Sequence, residues 1–433
     1  IMTKTFFSLF NKLIPMNDQT SECKDRSQAI QMVRDMFANF IPEPREGHWR
    51  DDGTSDALMK RIFFSSVGMF FIKKQGFNEG YVADLTKLCD YPCRENGPMQ
   101  FEPFGCKTFF DEDGNIKRIE EKDGTTYTPT HEHWAWAKTK SRTSAFLGSF
   151  FVHLIQVHYI WGNVPGAALR KFVSPEHRIR KAFTVHFFKT HYSCVSAKDS
   201  LLHQYGMVSR GISLDYEKGL KKAFLDNIDD FQFQSYPDEI KERGLQDCKF
   251  HIGAIDGVAL HKIIVKYVSD TIDETYSNEK ELKADREMRE AYRYIADNMA
   301  GVPKMCTLEN LKMVWGEIIF RVSGYHSSIG HISQYALDPF LVNFRLQSKE
   351  LESLIPSNEQ ALALALITAA TTMPCPTLGQ DWGHVLHDPK CNSYKRFRRR
   401  LRKLGEDIDH KNTAGRYGNV DFHPEHCSLS VCA

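Results

Sequence analysis

The sequence predicts a mainly α protein organised around two long apolar helices, with one small β region. Residues 131–163, HEHWAWAKTKSRTSAFLGSFFVHLIQVHYIWGN, become almost wholly apolar or small from Phe146 to Trp161 and carry His153 and His158. A helix of that composition is hydrophobic all round and belongs in the middle of a core. A second largely apolar run, Leu308 to Val322, leads to His326 and His331, again with H-x4-H spacing. With 433 residues, 42% of them hydrophobic, the chain has enough apolar mass to bury both helices.

Two imidazoles inside a core need partners. On a regular α-helix the H-x4-H spacing leaves the side chains about 140° apart. One wider π-type turn brings both rings to the same side, and such turns favour functional sites. A lone pair of this kind is explained by core histidines that each bond a carbonyl. Two pairs in two core helices point instead to four neutral imidazoles around one borderline transition metal. Imidazole suits Fe, Zn, Cu and Ni, whereas carboxylate and water suit Mg and Ca.

Taken in order, residues 1–50 mix short apolar groups with charge and read as an N-terminal extension packed on a single domain, 1–433. Phe6, Phe7, Leu9, Phe10, Leu13 and Ile14 suit either that packing or peripheral membrane contact. The run is too short and too polar for a signal segment. Ser55 to Ile72 has a helical pattern. Phe101 to Thr128 alternates and holds the turn dipeptides Asp113-Gly114 and Asp123-Gly124, which makes it the one convincing β region. After the first histidine helix come Pro165, Pro175 and a helical run from Ala182 through Met207. Tyr236 to Gly244 reads as a turn, a short helix and a glycine stop. Gly257 to Ala300 has the pattern of an outer amphipathic helix pair, and Thr307 is placed to cap the second histidine helix. Glu359 to Thr371 predicts another core helix. Lys395 to Lys403 is basic, with Phe397, Leu401 and Leu404 at helical spacing, as on a helix with a solvated face.

Lys plus Arg total 56 against 55 Asp plus Glu, so no overall field attracts nucleic acid. Eleven cysteines show no short repeated spacing, which predicts reduced thiols and a cytoplasmic protein. No run approaches the roughly 18 apolar residues of a membrane span. His131, His133, His384, His387, His423 and His426 stand in polar stretches and are expected at the surface.

Several blocks together resemble the lipoxygenase catalytic domain, in that family's order, from about Trp134 to the C-terminus. Trp136-Ala137-Lys138 followed by His153 and His158 is similar to the start of its first metal helix. Ala197-Lys198-Asp199-Ser200-Leu201 resembles its arched helix over the substrate. Pro237 to Gly244 and Ile255-Asp256-Gly257 resemble the loop and the turn that follow. Thr307 to Leu311, Ser323-Gly324-Tyr325-His326 and Ser333-Gln334-Tyr335 are similar to its second metal helix. Leu378-Gly379-Gln380, Phe397 to Asn412 and Ser430-Val431-Cys432-Ala433 complete the series.

The resemblance implies a mostly helical catalytic domain, without the β-sandwich domain that often precedes it in the family. It implies non-heme iron, or alternatively manganese, held by histidines and a main-chain carboxylate. Carried over residue by residue, His153, His158, His326 and the carboxylate of Ala433 match ligand positions. The family's fourth side-chain ligand falls on Gly330, which has none, and one inserted residue brings His331 there. Gln334 is implied as a supporting residue that orients His331 or a water. Ala197, Leu201 and Val208 match positions that shape the substrate and O2 pocket. The implied activity inserts O2 into a polyunsaturated fatty acid, giving a hydroperoxide after hydrogen abstraction at a ferric hydroxide. Two alternatives accompany it: an oxygenase or hydroperoxide isomerase acting on another small apolar substrate, and a non-catalytic lipid-binding relative.

Overall fold

The computed structural model describes residues 55–95, 101–330, 341–347, 349, 354, 375–386, 392–414 and 421–431. The 1–50 extension, the helix expected at 359–371, and His331, Gln334, His387 and Ala433 lie outside these residues.

Helix α1, Asp56–Ser65, starts where the Ser55 side chain accepts from the Leu58 amide. Five strands follow: β1 Ile72–Lys74, β2 Tyr81–Asp84, β3 Lys107–Phe110, β4 Ile116–Glu120 and β5 Thr126–Tyr127. They form one antiparallel sheet in sequence order. The expected turns are present, with Gly114 at φ 79° and Gly124 at φ 90°, conformations glycine adopts without strain. The sheet also takes in residues 72–84, so the β region begins earlier than the alternation at 101–128 suggests. β1 and β2 have three and four residues, too few to display a period. Phe63 and Phe64 of α1 pack against Phe110 of β3, each pair of rings at 5.3 Å.

Helix α2, Trp134–Phe151, runs through the core, and every residue from Trp136 to Phe151 is buried. Burial begins at its first residue, Trp134, well before the apolar run, and is tolerated because each early cation meets a partner. Lys138 reaches Asp56 at 2.8 Å and Lys140 reaches Glu121 at 2.7 Å, while Arg142 donates to the Leu341 carbonyl at 2.9 Å. A buried charge is tolerated on those terms.

Beyond it lie α3 Asn163–Phe172, α4 Arg178–Phe183, α5 Thr190–Ser200, α6 Met207–Gly211, α7 Lys221–Asp229 and α8 Tyr236–Glu242. The run expected to be continuous from Ala182 to Met207 is broken: Lys189 takes φ 56°, and residues 201–206 turn between α5 and α6. α8 is capped by Ser235 and stops before Gly244 at φ 67°.

Residues 257–300 correct the outer-pair expectation. They form α9 Val258–Asp273, α10 Glu279–Ala284 and α11 Arg286–Asn298. α9 is a core helix, packed against α12, Leu308–Phe320, and α15, Asn392–Thr413. Tyr267 stacks on Phe397 at 4.4 Å. Between them in the chain come α13 His326–Ile329 and α14 Gly383–Leu386. α12 starts as expected, with Thr307 Oγ1 accepting from the Asn310 amide at 3.2 Å. Part of the basic cluster on α15 is spent internally, since Arg396 and Arg400 reach Asp270 at 3.2 and 3.3 Å.

Seven described cysteines are free, but Cys375 is in a disulfide whose other half lies outside the described residues. The expectation of reduced thiols therefore fails at that position.

Candidate metal centre

α2 does not end at Phe151. It widens into a π-helix over Val152–Gly162, and the extra width brings His153 and His158 onto one side. Their Nε2 atoms are 3.2 Å apart. The second histidine helix does the same in a shorter space: α12 passes into a π segment, Arg321–Tyr325, and then into α13. That turn delivers His326, whose Nε2 lies 3.1 Å from His158 Nε2. All three rings are buried, and their donor atoms lie within 4.8 Å of one another. Among the described residues this is the one His, Cys, Asp or Glu cluster close enough to hold a metal.

The donor set fits a metal better than it fits a closed hydrogen-bond network. A neutral imidazole Nε2 is a donor or an acceptor, never both. His158 Nε2, close to two others, cannot be satisfied by giving to one and accepting from the other. A common cation accepts all three lone pairs. Metal–imidazole bonds of about 2.1 Å at right angles set nitrogens about 3.0 Å apart, close to the spacings found.

Gly330 stands at the edge of this group. A Cβ there would lie 2.6 Å from His153 Nε2 and 2.8 Å from the His326 carbonyl oxygen. The position faces the centre, and a side chain on it would displace a histidine. His331 follows immediately, outside the described residues.

The chain near its end is drawn towards the same place. His186 Nδ1 donates to the Leu429 carbonyl at 3.0 Å and Ser193 Oγ to the Val431 carbonyl at 2.9 Å, while the Ser428 amide donates to Ser327 Oγ at 2.6 Å. Val431 is seated against the first histidine helix, where a Cβ on Gly162 would meet its Cγ2 at 2.6 Å. His186 is fully buried, and that burial pushes its pKa down to about 4.

Ala197, Leu201 and Val208 are all buried, on α5, on the turn after it and on α6. α5 is tied to the π segment by Tyr159, whose hydroxyl donates to the Cys194 carbonyl at 2.9 Å, and by Cys194 Sγ, 3.4 Å from the His158 carbonyl. A cavity of about 260 Å³ abuts both π segments, lined by Val152, Gln156 and Trp161 from one and Arg321 and Tyr325 from the other. None of the three expected pocket residues lines it.

A charged network beside the centre went unread in the sequence. Glu317 accepts from Arg321 Nε at 2.6 Å and from the Tyr236 amide at 3.1 Å, and it meets His261 Nε2 at 2.8 Å. Arg321 Nη2 also reaches Glu239 at 2.9 Å. Burial opposes both charges, but Arg321 draws the Glu317 pKa down, and Glu317 with Glu239 raises that of Arg321. The available signal was Glu317 and Arg321 one turn apart inside an apolar helix. Among the histidines expected at the surface, His423 is buried instead, its ring against Gly405.

Fold and site together define a mainly helical protein with a buried cluster of three imidazoles close enough to hold a metal ion. A family model described as Lipoxygenase matches residues 112–374. The chain belongs to the lipoxygenase family. It is 24% identical over 375 residues to arachidonate 12-lipoxygenase, 12R-type, of Rattus norvegicus, covering 77% of this chain and 52% of that protein. With hydroperoxide isomerase ALOXE3 of Homo sapiens it shares 24% over 219 residues, 48% of this chain and 30% of that one. It thus spans about half or less of the length of these relatives. A crystal structure of a lipoxygenase in complex with arachidonate has the same fold, with a TM-score of 0.81 at 17% identity, covering 100% of this chain and 74% of the other.

Proposed function

We propose that the chain is the catalytic part of a lipoxygenase-type dioxygenase acting on a polyunsaturated fatty acid. The observation that carries this is the convergence of His153, His158 and His326 through two π-helical turns in an apolar core. In this reading His331 and the carboxylate of Ala433 complete the ligand set, and Gln334 orients His331 or a water. Val431, the last described residue, is seated against the first histidine helix. Iron, or manganese, bound there would supply the one-electron acceptor needed to break a bis-allylic C–H bond.

The chain's own contribution is position and exclusion. The histidines present their Nε2 atoms to one point, and their burial keeps bulk water away from a radical carbon. Ala197, Leu201 and Val208 act by shape, deciding which end of the pentadiene O2 can reach. A second reading, a hydroperoxide isomerase, is favoured by Gly330: with no side chain at that ligand position, the centre differs from a four-histidine set.

Metal analysis of the purified chain, with His158→Ala as control, and conjugated-diene absorbance with linoleate or arachidonate test the proposal. We expect about one iron or manganese per chain, lost in His158→Ala, and diene formation. Metal without diene formation, together with turnover of a fatty-acid hydroperoxide, would transfer the assignment to the isomerase. Absence of a transition metal would end both.

A further inference from the structure

Cys375 is half-buried, and its disulfide partner is one of the three cysteines outside the described residues, Cys23, Cys391 and Cys432, since the other seven are free. A short antiparallel pairing fixes its surroundings. The Leu429 amide donates to the Pro376 carbonyl at 2.7 Å, the Leu378 amide donates to the Cys427 carbonyl at 2.9 Å, and Thr377 bridges Ser428 between them. That register sets Cys375 opposite Ser430, and its Sγ lies 3.7 Å from the Ser430 carbonyl oxygen and 3.8 Å from Ser430 Oγ. Alternate residues of an extended segment share a face. Position 432 therefore follows 430 on the face that Cys375 meets.

The path of the chain sets Cys391 apart. From Leu378 to Trp382 the segment runs along α15 towards the start of that helix. Arg398 Nη1 donates to the carbonyls of Leu378 and Gln380 at 3.3 and 3.1 Å. The Tyr394 hydroxyl, a turn earlier on the helix, accepts from the Trp382 amide at 3.0 Å and donates to Asp381 at 2.8 Å. Cys391 immediately precedes α15, beyond Tyr394, whereas Cys375 lies at the opposite end of the segment, before Leu378. About 10 Å of helix separates position 391 from Arg398, and a disulfide bridges Cα atoms no more than about 7 Å apart.

We propose that Cys375 and Cys432 form a disulfide that clamps the end of the chain against residues 376–378 and holds it beside the histidine centre. Diagonal partners on one face of an antiparallel pair stand about 7–8 Å apart, with their Cβ atoms closer, near the reach of a disulfide. Forming the bond removes two protons and two electrons from the thiols, and a small-molecule disulfide accepts them as it becomes two thiols. An oxidising compartment keeps such a clamp and a reducing one releases it. Without it the segment is held by single hydrogen bonds, Ser428 to Ser327, His186 to Leu429 and Ser193 to Val431. The inference deepens the proposed function and rests on it in one respect: Cys432 adjoins Ala433, so the cross-link would fix the ligating carboxylate from one residue away.

The test begins with mass spectrometry of peptides from the full chain, its free thiols blocked and its disulfides left intact. A peptide joining Cys375 to Cys432 is expected. Cys375 joined to Cys391 or Cys23, or blocked as a free thiol, would overturn the proposal. Carboxypeptidase should release the last residues roughly tenfold faster after reduction by a phosphine, and as fast in Cys432→Ser without reduction. In a metal-competition titration, affinity should be roughly tenfold weaker in reduced wild type, in Cys375→Ser and in Cys432→Ser, with no further loss when both are changed. Cys391→Ser should behave as wild type. Unchanged circular dichroism shows that the variants fold. Equal release rates, or equal affinities, in the oxidised and reduced chains would overturn the clamp. Mapping and release as expected in a chain that binds no metal would remove the catalytic reading and leave the disulfide standing.

Discussion

The two histidine helices reach the same point by different means. The first starts without a side-chain cap, His133 making none, and its buried cations are matched by partners from other elements, Asp56 and Glu121 among them. Its π segment covers eleven residues and is braced from outside by α5 and by the chain at 427–431. The second helix is capped by Thr307, and its bracing begins with a pair inside the helix before Glu239, His261 and the Tyr236 amide join it. Arg321, the first residue of its five-residue π segment, binds Glu317 one turn back and lies 4.3 Å over the ring of Tyr325, the last. A widened turn has poorer hydrogen bonding than an α-helix and needs support. The difference shows that the support can be wholly tertiary along a long segment, and along a short one can be centred on a pair within the helix.

The comparison breaks most readily at Arg321. Arg321→Met leaves Glu317 buried without its main counter-charge and should cost about 3–5 kcal/mol in urea unfolding. On the first helix, Lys140→Met should cost less, because the Glu121 side chain it abandons is 13% exposed and can take up water. Equal losses would mean that internal and tertiary bracing are the same.

Acid is the next lever. The His186 imidazole, pushed from 6.5 to about 4 by burial, holds the chain near 429 against the first helix. The unfolded chain takes up this proton below pH 6.5 and the folded one only near 4, so stability falls as pH drops through that window. The loss is about 3 kcal/mol at most. His186→Phe should flatten that slope in denaturation series between pH 6.5 and 4, and an unchanged slope would assign it to other groups.

Smaller still is the effect of adding one methyl group to either helix. Gly330→Ala pushes directly on His153, and metal affinity in a competition titration should fall roughly 10–100-fold. Gly162→Ala meets chiefly the side chains of Val431 and Thr190, away from the histidine rings, and should change affinity less. The reverse order would place the critical contact at the tail. Smallest is the cap: Thr307→Ala should cost about 1 kcal/mol in thermal or urea unfolding, whereas His133→Ala should stay within about 0.5 kcal/mol.

Much of the centre was readable because hydrophobic runs and histidine spacing are local. The H-x4-H spacing of His153 and His158 in an apolar helix suggested a π turn, and a π segment spans that pair, whereas on the second helix the π segment ends just before His326. What resisted reading depends on partners far away in sequence. Lys138 and Lys140 look like surface residues until Asp56 and Glu121 are placed beside them. α9 looked like an outer helix because its polar residues, Asp270 among them, are matched by arginines of α15, about 130 residues later. The Lys189 break is invisible to helical periodicity, since a lysine at positive φ is a rare backbone choice. The fourth ligand position was legible only as a question, His331 or a water beside the side-chain-free Gly330, and the structure adds that Gly330 faces His153.

The contacts made by residues 427–431 also bear on how the chain folds. Ser428 meets Ser327, Leu429 meets His186 and Pro376, and Val431 meets Ser193, so these few residues join segments up to some 240 positions away. In strand pairing the segment makes a single isolated bridge, Ser428 with Thr377. Such long closures carry their entropic cost before any contact rewards it, which puts them late in folding. The helices can therefore collapse and bury their histidines while this last wall is still open.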